Sequence, residues 1–126
     1  MASVIHGFIY NKEAFAELDL TVPKTEADFL TLLEKIKADG SYIPMAMGTN
    51  DQWEASTMGN NNIGPNYWKG EEGRLALLKG DQRLTDETWV APFRQLAKRG
   101  AYLGAGNEAQ TYPDSQNLFT LGRAAI

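Results

Sequence analysis

The chain has 126 residues, of which 43% are hydrophobic and 22% are charged, which suits one folded domain and differs from the composition of disordered chains. Its net charge is −4 and its twelve Lys and Arg are scattered, so nucleic acid is excluded as an expected partner. The sequence has no cysteine and no apolar run near the roughly 20 residues that span a bilayer, which excludes thiolate chemistry and a membrane-spanning helix.

The first predicted element is a short strand that ends near Asn11. Residues 4–10 are mostly apolar and partly β-branched, and His6 and Gly7 interrupt the run. Asn11 can accept a hydrogen bond from a free backbone N–H, which predicts a short helix over residues 12–18. The following residues end in a proline and break that helix.

A second helix is predicted over residues 26–38. Thr25 and Asp28 resemble a capping box, worth about 1 kcal/mol to the start of a helix. Apolar residues at helical spacing then form one stripe, which consists of Phe29, Leu32, Leu33 and Ile36. Gly40 suits the left-handed position that closes the helix.

A second strand is predicted over residues 42–47. It contains Pro44, which lacks the N–H of a sheet ladder and indicates an edge or a strand start. Together with the preceding strand and helices it forms a parallel βαβ-like unit. A turn over residues 48–51 leads into a helix over 52–58, with Trp53 in its first turn. Ligands bind at this carboxyl edge of open α/β sheets.

The rest of the chain is predicted to be mostly helical. The elements are a loop over residues 59–64, helices over 71–78 and 86–99, a last helix from Pro113 to Gly122, and a third strand over 123–126. Thr85 suits the N-cap of helix 86–99, and Pro92 inside that helix predicts a kink near Thr88. Its expected buried face consists of Trp89, Phe93, Leu96 and Ala97; in the last helix it consists of Leu118, Phe119 and Leu121. We expect a helix-rich α/β fold with one core and a sheet of about three strands.

No catalytic residue, metal site or cofactor is predicted. His6 is the one histidine and lies in a predicted strand, whereas a nucleophile or general base needs a poised partner. The acidic pairs Glu71 with Glu72 and Asp81 with Asp86 lie in polar stretches, and a glycosidase dyad would have to face across a cleft. The sequence also lacks a phosphate-binding glycine loop and a calcium loop.

The segment around Trp53 favours binding of a neutral sugar. Such a ligand has no charge, so proteins hold its C–H face on an aromatic ring and its hydroxyls with planar carboxylates or amides. Asp51, Gln52 and Trp53 supply this combination. Further candidates of the same chemistry are Asn50, Asn62, Tyr67 and Trp68. The alternatives are an ordinary core position for Trp53, a helix cap for Asp51, and a loop pinned by its aromatic residues at positions 67 and 68.

Two sets of residues carry a resemblance to a known family. Residues 8–15, 22–25 and 28–29 look like a Y-N-K…P-K-T…E-F signature, and residues 119–126 resemble F-x-x-G-[KR]-A-A-M. The chain therefore resembles the extracellular solute-binding proteins that serve carbohydrate ABC importers, the relatives of maltose-binding protein. Asp19 stands where that family usually has Gly.

The resemblance implies a two-lobed periplasmic-binding-protein fold that closes on a sugar, with residues 1–126 as one partial domain that forms most of the second lobe. It places Asp51, Gln52 and Trp53 at the sugar. It also implies ABC importer membrane subunits as partners, and a periplasmic or membrane-anchored extracellular location for the parent protein in bacteria.

The first lobe, the hinge strands and the G-x-W motif expected after Ile126 are missing from this sequence, and its start lacks the features of a signal peptide. We therefore expect a fragment that carries half of a sugar site. One alternative is a stand-alone interaction module that forms homodimers through the face normally covered by the other lobe. A small carbohydrate-active enzyme is the other alternative.

Overall fold

The computed structural model describes residues 6–126, apart from the side chains of residues 59 and 60. Its helices are α1 (Lys12–Glu17), α2 (Glu26–Asp39), α3 (Trp53–Ser56), α4 (Gly64–Trp68), α5 (Glu71–Lys79), α6 (Glu87–Gly100) and α7 (Tyr112–Thr120), with a π-helix at Thr57–Ile63 and a 3-10 turn at Asn107–Ala109. None of the helices in the described part is long and apolar enough to cross a bilayer.

The described residues divide into two compact units, whereas the sequence predicts one core. The terminal unit consists of Gly7–Asp51 and Ala101–Ile126. The middle unit consists of Gln52–Gly100 together with His6. Each unit has its own buried side chains, so the two are described separately.

The predicted helix α1 of the terminal unit is confirmed. Hydrogen bonds satisfy backbone groups at both of its ends. The Asn11 side chain accepts hydrogen bonds from the N–H groups of Glu13, at 2.9 Å, and Ala14, at 3.3 Å. At the other end, the N–H of Leu20 donates to the carbonyl of Phe15 at 2.8 Å, across a left-handed residue. This pairing satisfies a carbonyl that the helix leaves free.

Helix α2 is confirmed together with its caps and its buried stripe. The Thr25 hydroxyl accepts the N–H of Asp28 at 3.1 Å. Gly40 closes the helix at φ +80° and donates to the carbonyl of Ile36 at 3.1 Å. The buried core of the terminal unit consists of Ala14, Phe15, Phe29, Leu32, Leu33, Ile36, Met45, Ala125 and Ile126.

The predicted three-stranded sheet is wrong for the described residues. Residues 6–126 contain two isolated parallel bridges, Ile43 with Ala124 and Met45 with Leu103, and no strand. Pro44 lies between the bridged positions, and the N–H of Met45 donates to the carbonyl of Tyr102 at 3.3 Å rather than to the segment that pairs with Ile43. Part of the predicted first strand, residues 4 and 5, lies outside the described residues.

The three segments predicted as strands nevertheless lie side by side in the terminal unit. The N–H of Asn11 donates to the carbonyl of Ala125 at 2.8 Å, and the N–H of Ala125 donates to the carbonyl of Ile43 at 2.9 Å. The last segment of the chain therefore lies between the other two, an order that the sequence does not predict.

Helix α7 is confirmed, but its predicted buried face is only partly right. Leu118 and Phe119 are half-buried, whereas Leu121 is exposed. Leu121 is the C-cap and Gly122 follows at φ +67°, so the chain turns away before Leu121 can reach the core. The fully covered residue of this helix is Ser115.

The predicted loop over residues 59–64 in the middle unit is wrong, because this stretch is helical. The chain continues from α3 as the π-helix and runs directly into α4. The Asn62 amide donates to the Met58 sulfur at 3.5 Å, and the Asn66 amide donates to the Asn62 carbonyl at 3.2 Å. These bonds run back one turn, so asparagines that usually favour loops support the helix here.

The predicted buried face of helix α6 is only partly right. Trp89 and Pro92 are buried and Leu96 is half-buried, but Phe93 and Ala97 are exposed. Pro92 and Arg99 are buried as well. Apolar periodicity does not predict this, because it counts Phe93 as a core residue and leaves out proline and arginine. The predicted kink near Thr88 remains a prediction.

Candidate functional site

Residues 48–51 are fastened to the segment that leads into α7. The N–H of Gly48 donates to the Ser115 hydroxyl at 2.6 Å, and the N–H of Asn50 donates to the Gln110 carbonyl at 3.1 Å. A Cβ on Gly48 would lie 2.3 Å from the Gln110 carbonyl oxygen. Only glycine allows this close approach, which fixes the position of the segment.

Asp51 is exposed and is held by a helix distant in sequence. Its Oδ2 atom accepts the N–H of Tyr112, the first residue of α7, at 2.8 Å. Asp51 is therefore a helix-capping group, as its alternative role predicts, but for α7 rather than for the helix that follows it. Within residues 6–126, no hydrogen bond to its Oδ1 atom is found.

Gln52 and Trp53 stand at the start of α3 in the middle unit. Gln52 is exposed and has φ +61°, a left-handed conformation uncommon outside glycine. Trp53 is the first residue of α3, as predicted, and 48% of its surface is exposed. An exposed tryptophan at a turn differs from an ordinary core tryptophan, which is the alternative for this residue.

The further candidates differ in how much surface they offer. Asn50 is exposed. The Asn62 oxygen lies 2.5 Å from the Nδ1 atom of His6, so its carboxamide is engaged. Tyr67 is half-buried, and Trp68 is 9% exposed.

The Trp68 ring is part of the packing of the middle unit. It stacks on the Trp89 ring at a centroid distance of 4.4 Å and an interplanar angle of 12°. The Trp89 indole N–H donates to the Gln82 side chain at 2.9 Å. One face of Trp68 is therefore covered by protein, which leaves the ring little surface for a ligand.

The first turn of α7, whose Tyr112 N–H bonds Asp51, also contains the carboxylate of Asp114. The N–H of Thr111 and then its hydroxyl donate to the Asp114 carboxylate, at 2.8 and 2.7 Å, and lower the pKa of that carboxyl below its ordinary value. A carboxylate at this position also interacts favourably with the positive N-terminal end of the helix dipole.

Among residues 6–126, no group of three or more His, Cys, Asp or Glu side chains could hold a metal ion.

Tyr112 is the hydrogen-bond partner of Asp51 that the sequence does not predict. It is 61 positions away from Asp51, and no spacing rule connects the two. The one available signal is an aromatic residue directly before the proline of a helix start.

Comparison with known proteins gives a consistent set of relatives. The family model for bacterial extracellular solute-binding proteins matches residues 2–126. A probable sugar-binding periplasmic protein of Mesorhizobium japonicum is 34% identical over 97 residues, which cover 74% of this chain and 22% of the relative. An uncharacterized ABC transporter extracellular-binding protein of Pyrococcus horikoshii is 35% identical over 81 residues, 64% of this chain and 19% of that protein.

Solved structures are similar over most of the chain. A chitin oligosaccharide binding protein matches with a TM-score of 0.79 and 30% identity, over 92% of this chain and 29% of that one. The solute receptor AcbH, described with a preference for β-D-galactopyranose, matches with a TM-score of 0.74 and 26% identity over the same shares. The chain thus spans less than a third of the length of each of these proteins.

Proposed function

The chain belongs to the bacterial extracellular solute-binding proteins, and from that premise we propose that it takes part in binding a neutral mono- or oligosaccharide for uptake by an ABC importer. A relative named as a sugar-binding periplasmic protein and a structural neighbour named for chitin oligosaccharides support the ligand class. The family is one of solute-binding proteins rather than enzymes.

The observation that carries the proposal is the exposed Trp53 at the start of α3. An aromatic ring with 48% of its surface exposed can cover the C–H face of a pyranose. The Asp51 carboxylate is fixed by the Tyr112 N–H and keeps one oxygen for a sugar hydroxyl. A fixed acceptor loses less conformational entropy on binding than a mobile one.

We also propose a role for the whole protein of which this chain forms part. The chain forms most of the second lobe of a two-lobed receptor and supplies one side of the sugar site. The parent protein lies in the periplasm or is anchored outside a bacterial membrane, and passes its ligand to ABC importer membrane subunits. The alternative of a stand-alone module that self-associates draws no support from these relatives, which are named for sugar binding or for ABC transport.

One wall of a cleft binds a sugar weakly, because closure that excludes water is missing. We expect a Kd of about 1 mM or weaker, which corresponds to about −4 kcal/mol. Titration followed by NMR suits this range. The probes are chitobiose, galactose and a wider set of neutral sugars.

The decisive signal is the indole N–H of Trp53 in the chain titrated with up to about 100 mM sugar, well above a millimolar Kd. We expect this resonance to shift, and the variant Trp53→Ala to lose binding. Phe93→Ala is the matched control, since Phe93 is an exposed aromatic residue of the same unit. Absence of any shift with the whole sugar panel would contradict the proposal.

A further inference from the structure

The segment that carries Asp51 and the start of α7 form one hydrogen-bonded assembly in the terminal unit. The N–H of Thr49 donates to the Asn107 carbonyl at 3.0 Å, which adds to the bonds of Gly48, Asn50 and Asp51. Four consecutive residues are thus tied to one short stretch of the chain. Groups on that stretch keep a fixed position relative to the Asp51 carboxylate.

Tyr112 is the aromatic member of this assembly. Its backbone nitrogen is 2.8 Å from the Asp51 carboxylate, while 42% of its surface is exposed. Thr111 and Asp114 hold the backbone on either side in a capping box, and Pro113 fixes the next φ angle. A large, partly exposed ring is therefore carried by a backbone whose N–H bonds the Asp51 carboxylate.

This combination is the one that a neutral sugar requires, an aromatic surface beside a fixed hydroxyl acceptor. Burying the exposed ring under the C–H face of a pyranose removes apolar surface from water. The ring has few rotatable bonds, so it loses little entropy on contact.

We propose that the ring of Tyr112 is a further sugar-contacting group, which covers the C–H face of the pyranose whose hydroxyl is bound by Asp51. This inference rests on the proposed sugar-binding function and deepens it. It assigns to the terminal unit an aromatic contact of its own, in addition to Trp53. The ligand class is a neutral pyranose with a hydroxyl free to bond a carboxylate.

The competing role for Tyr112 is a structural one, in which the residue serves only the start of α7. The Asp51 bond uses the backbone N–H of Tyr112, and every substitution except proline keeps that N–H. Tyr112→Ala therefore removes the ring without removing the bond. Tyr112→Phe removes the hydroxyl and keeps the ring.

The test is an NMR titration of the chain and its variants with chitobiose and with galactose. We expect sugar to shift the ring protons of Tyr112, and Tyr112→Ala to raise the Kd roughly tenfold, the loss expected for one aromatic contact. Tyr112→Phe should stay within about twofold of the original Kd, because the ring is kept. Leu121→Ala, an exposed residue at the other end of the helix, is the control and should change nothing.

The outcomes separate this inference from the function on which it rests. An unchanged Kd in Tyr112→Ala, with Trp53→Ala defective, would overturn the inference and leave sugar binding standing. Equal losses in Tyr112→Ala and Tyr112→Phe would also overturn it, since the hydroxyl rather than the ring would then matter. No binding by the original chain would remove the proposed function itself. If Tyr112→Ala fails to fold, Tyr112→Leu takes its place in the same comparison.

Discussion

Asp19 has a left-handed backbone at φ +48°, directly after α1. A non-glycine side chain in this region clashes with its own backbone, although Asp tolerates it better than most residues. The Leu20 N–H that bonds the Phe15 carbonyl depends on this conformation. The resemblance to the solute-binding proteins sets a Gly at this position, and the left-handed φ gives Asp a physical cost there.

We predict that Asp19→Gly stabilises the terminal unit by about 0.5 kcal/mol, the relief of strain less the greater entropy that glycine loses on folding. The Lys35 side chain bonds the backbone carbonyl of residue 19, so this contact persists. Urea unfolding measures the change. Gly40→Asp is the reverse control at another left-handed position, φ +80°, and should destabilise; stabilisation by both changes would contradict the argument.

Single residues also show where sequence reasoning succeeds. The caps at Asn11 and Thr25 are recognisable because a polar side chain and its target N–H are two or three positions apart. The contact of Asp51 with Tyr112 joins positions 61 apart and depends on the fold. Local chemistry was therefore predictable, and the assembly that positions the carboxylate was not.

At the scale of elements, the helices with strong apolar periodicity were predictable. All four stripe residues of α2 are buried, because no competing residue interrupts the stripe. In α6 the periodicity admits two faces, and the stack of Trp89 on Trp68 selects the one that contains Pro92. Sequence spacing alone cannot identify the packing partner that makes this selection.

The packing of Trp68 leaves no room beside Gly64 in α4. A Cβ on Gly64 would lie 1.8 Å from the Trp68 ring. We predict that Gly64→Ala displaces the ring from Trp89 and destabilises the middle unit by about 1 to 3 kcal/mol. Near-ultraviolet circular dichroism during thermal unfolding reports both effects.

The control for Gly64→Ala is Gly100→Ala, at the end of α6. A Cβ there meets nothing within 4 Å, so this substitution should be neutral or slightly stabilising. Equal stability of the two variants would show that the Trp68 ring does not constrain position 64.

The start of α7 should be sensitive to acid. The Thr111 backbone and hydroxyl groups lower the pKa of Asp114 in the folded chain. Because folding lowers this pKa, the ionised carboxylate stabilises the folded chain fully above the ordinary pKa of about 3.9. That stabilisation is lost as the pH falls through the pKa of the folded chain. Acid therefore weakens the cap on which Tyr112 and the Asp51 contact depend.

We predict that Asp114→Asn is less stable than the original chain near neutral pH, and that this difference shrinks as the pH falls to about 2. Asn cannot titrate, so subtracting the two pH profiles isolates this carboxyl from the other acids of the chain. Amide exchange at the first turn of α7 locates the effect. A difference that stays constant down to acid pH would contradict the role assigned to the ionised carboxylate.

For the whole molecule, the sequence predicted the family but not the division into two compact units. The family depends on short motifs that can be read locally. The division depends on which distant segments pack together, and residues 7–51 form one unit with residues 101–126 although 49 residues separate them in sequence. The predicted sheet fails for a related reason, since Ile43 and Met45 pair with different segments and each pairing is a single isolated bridge.

The charge of the chain gives a test of the ligand class that requires no variant. With its net charge of −4, the protein attracts cations and repels anions, and added salt screens these forces. A neutral sugar feels neither force, so stacking and hydrogen bonds should hold it equally well at any salt concentration. We predict that the Kd for chitobiose changes less than about twofold as the Debye length shortens from roughly 20 Å to roughly 4 Å. Glucosamine, a cationic sugar, is the control and should bind more weakly at high salt. A strong salt dependence for the neutral sugar would mean that charge, rather than the Trp53 and Asp51 chemistry, governs binding.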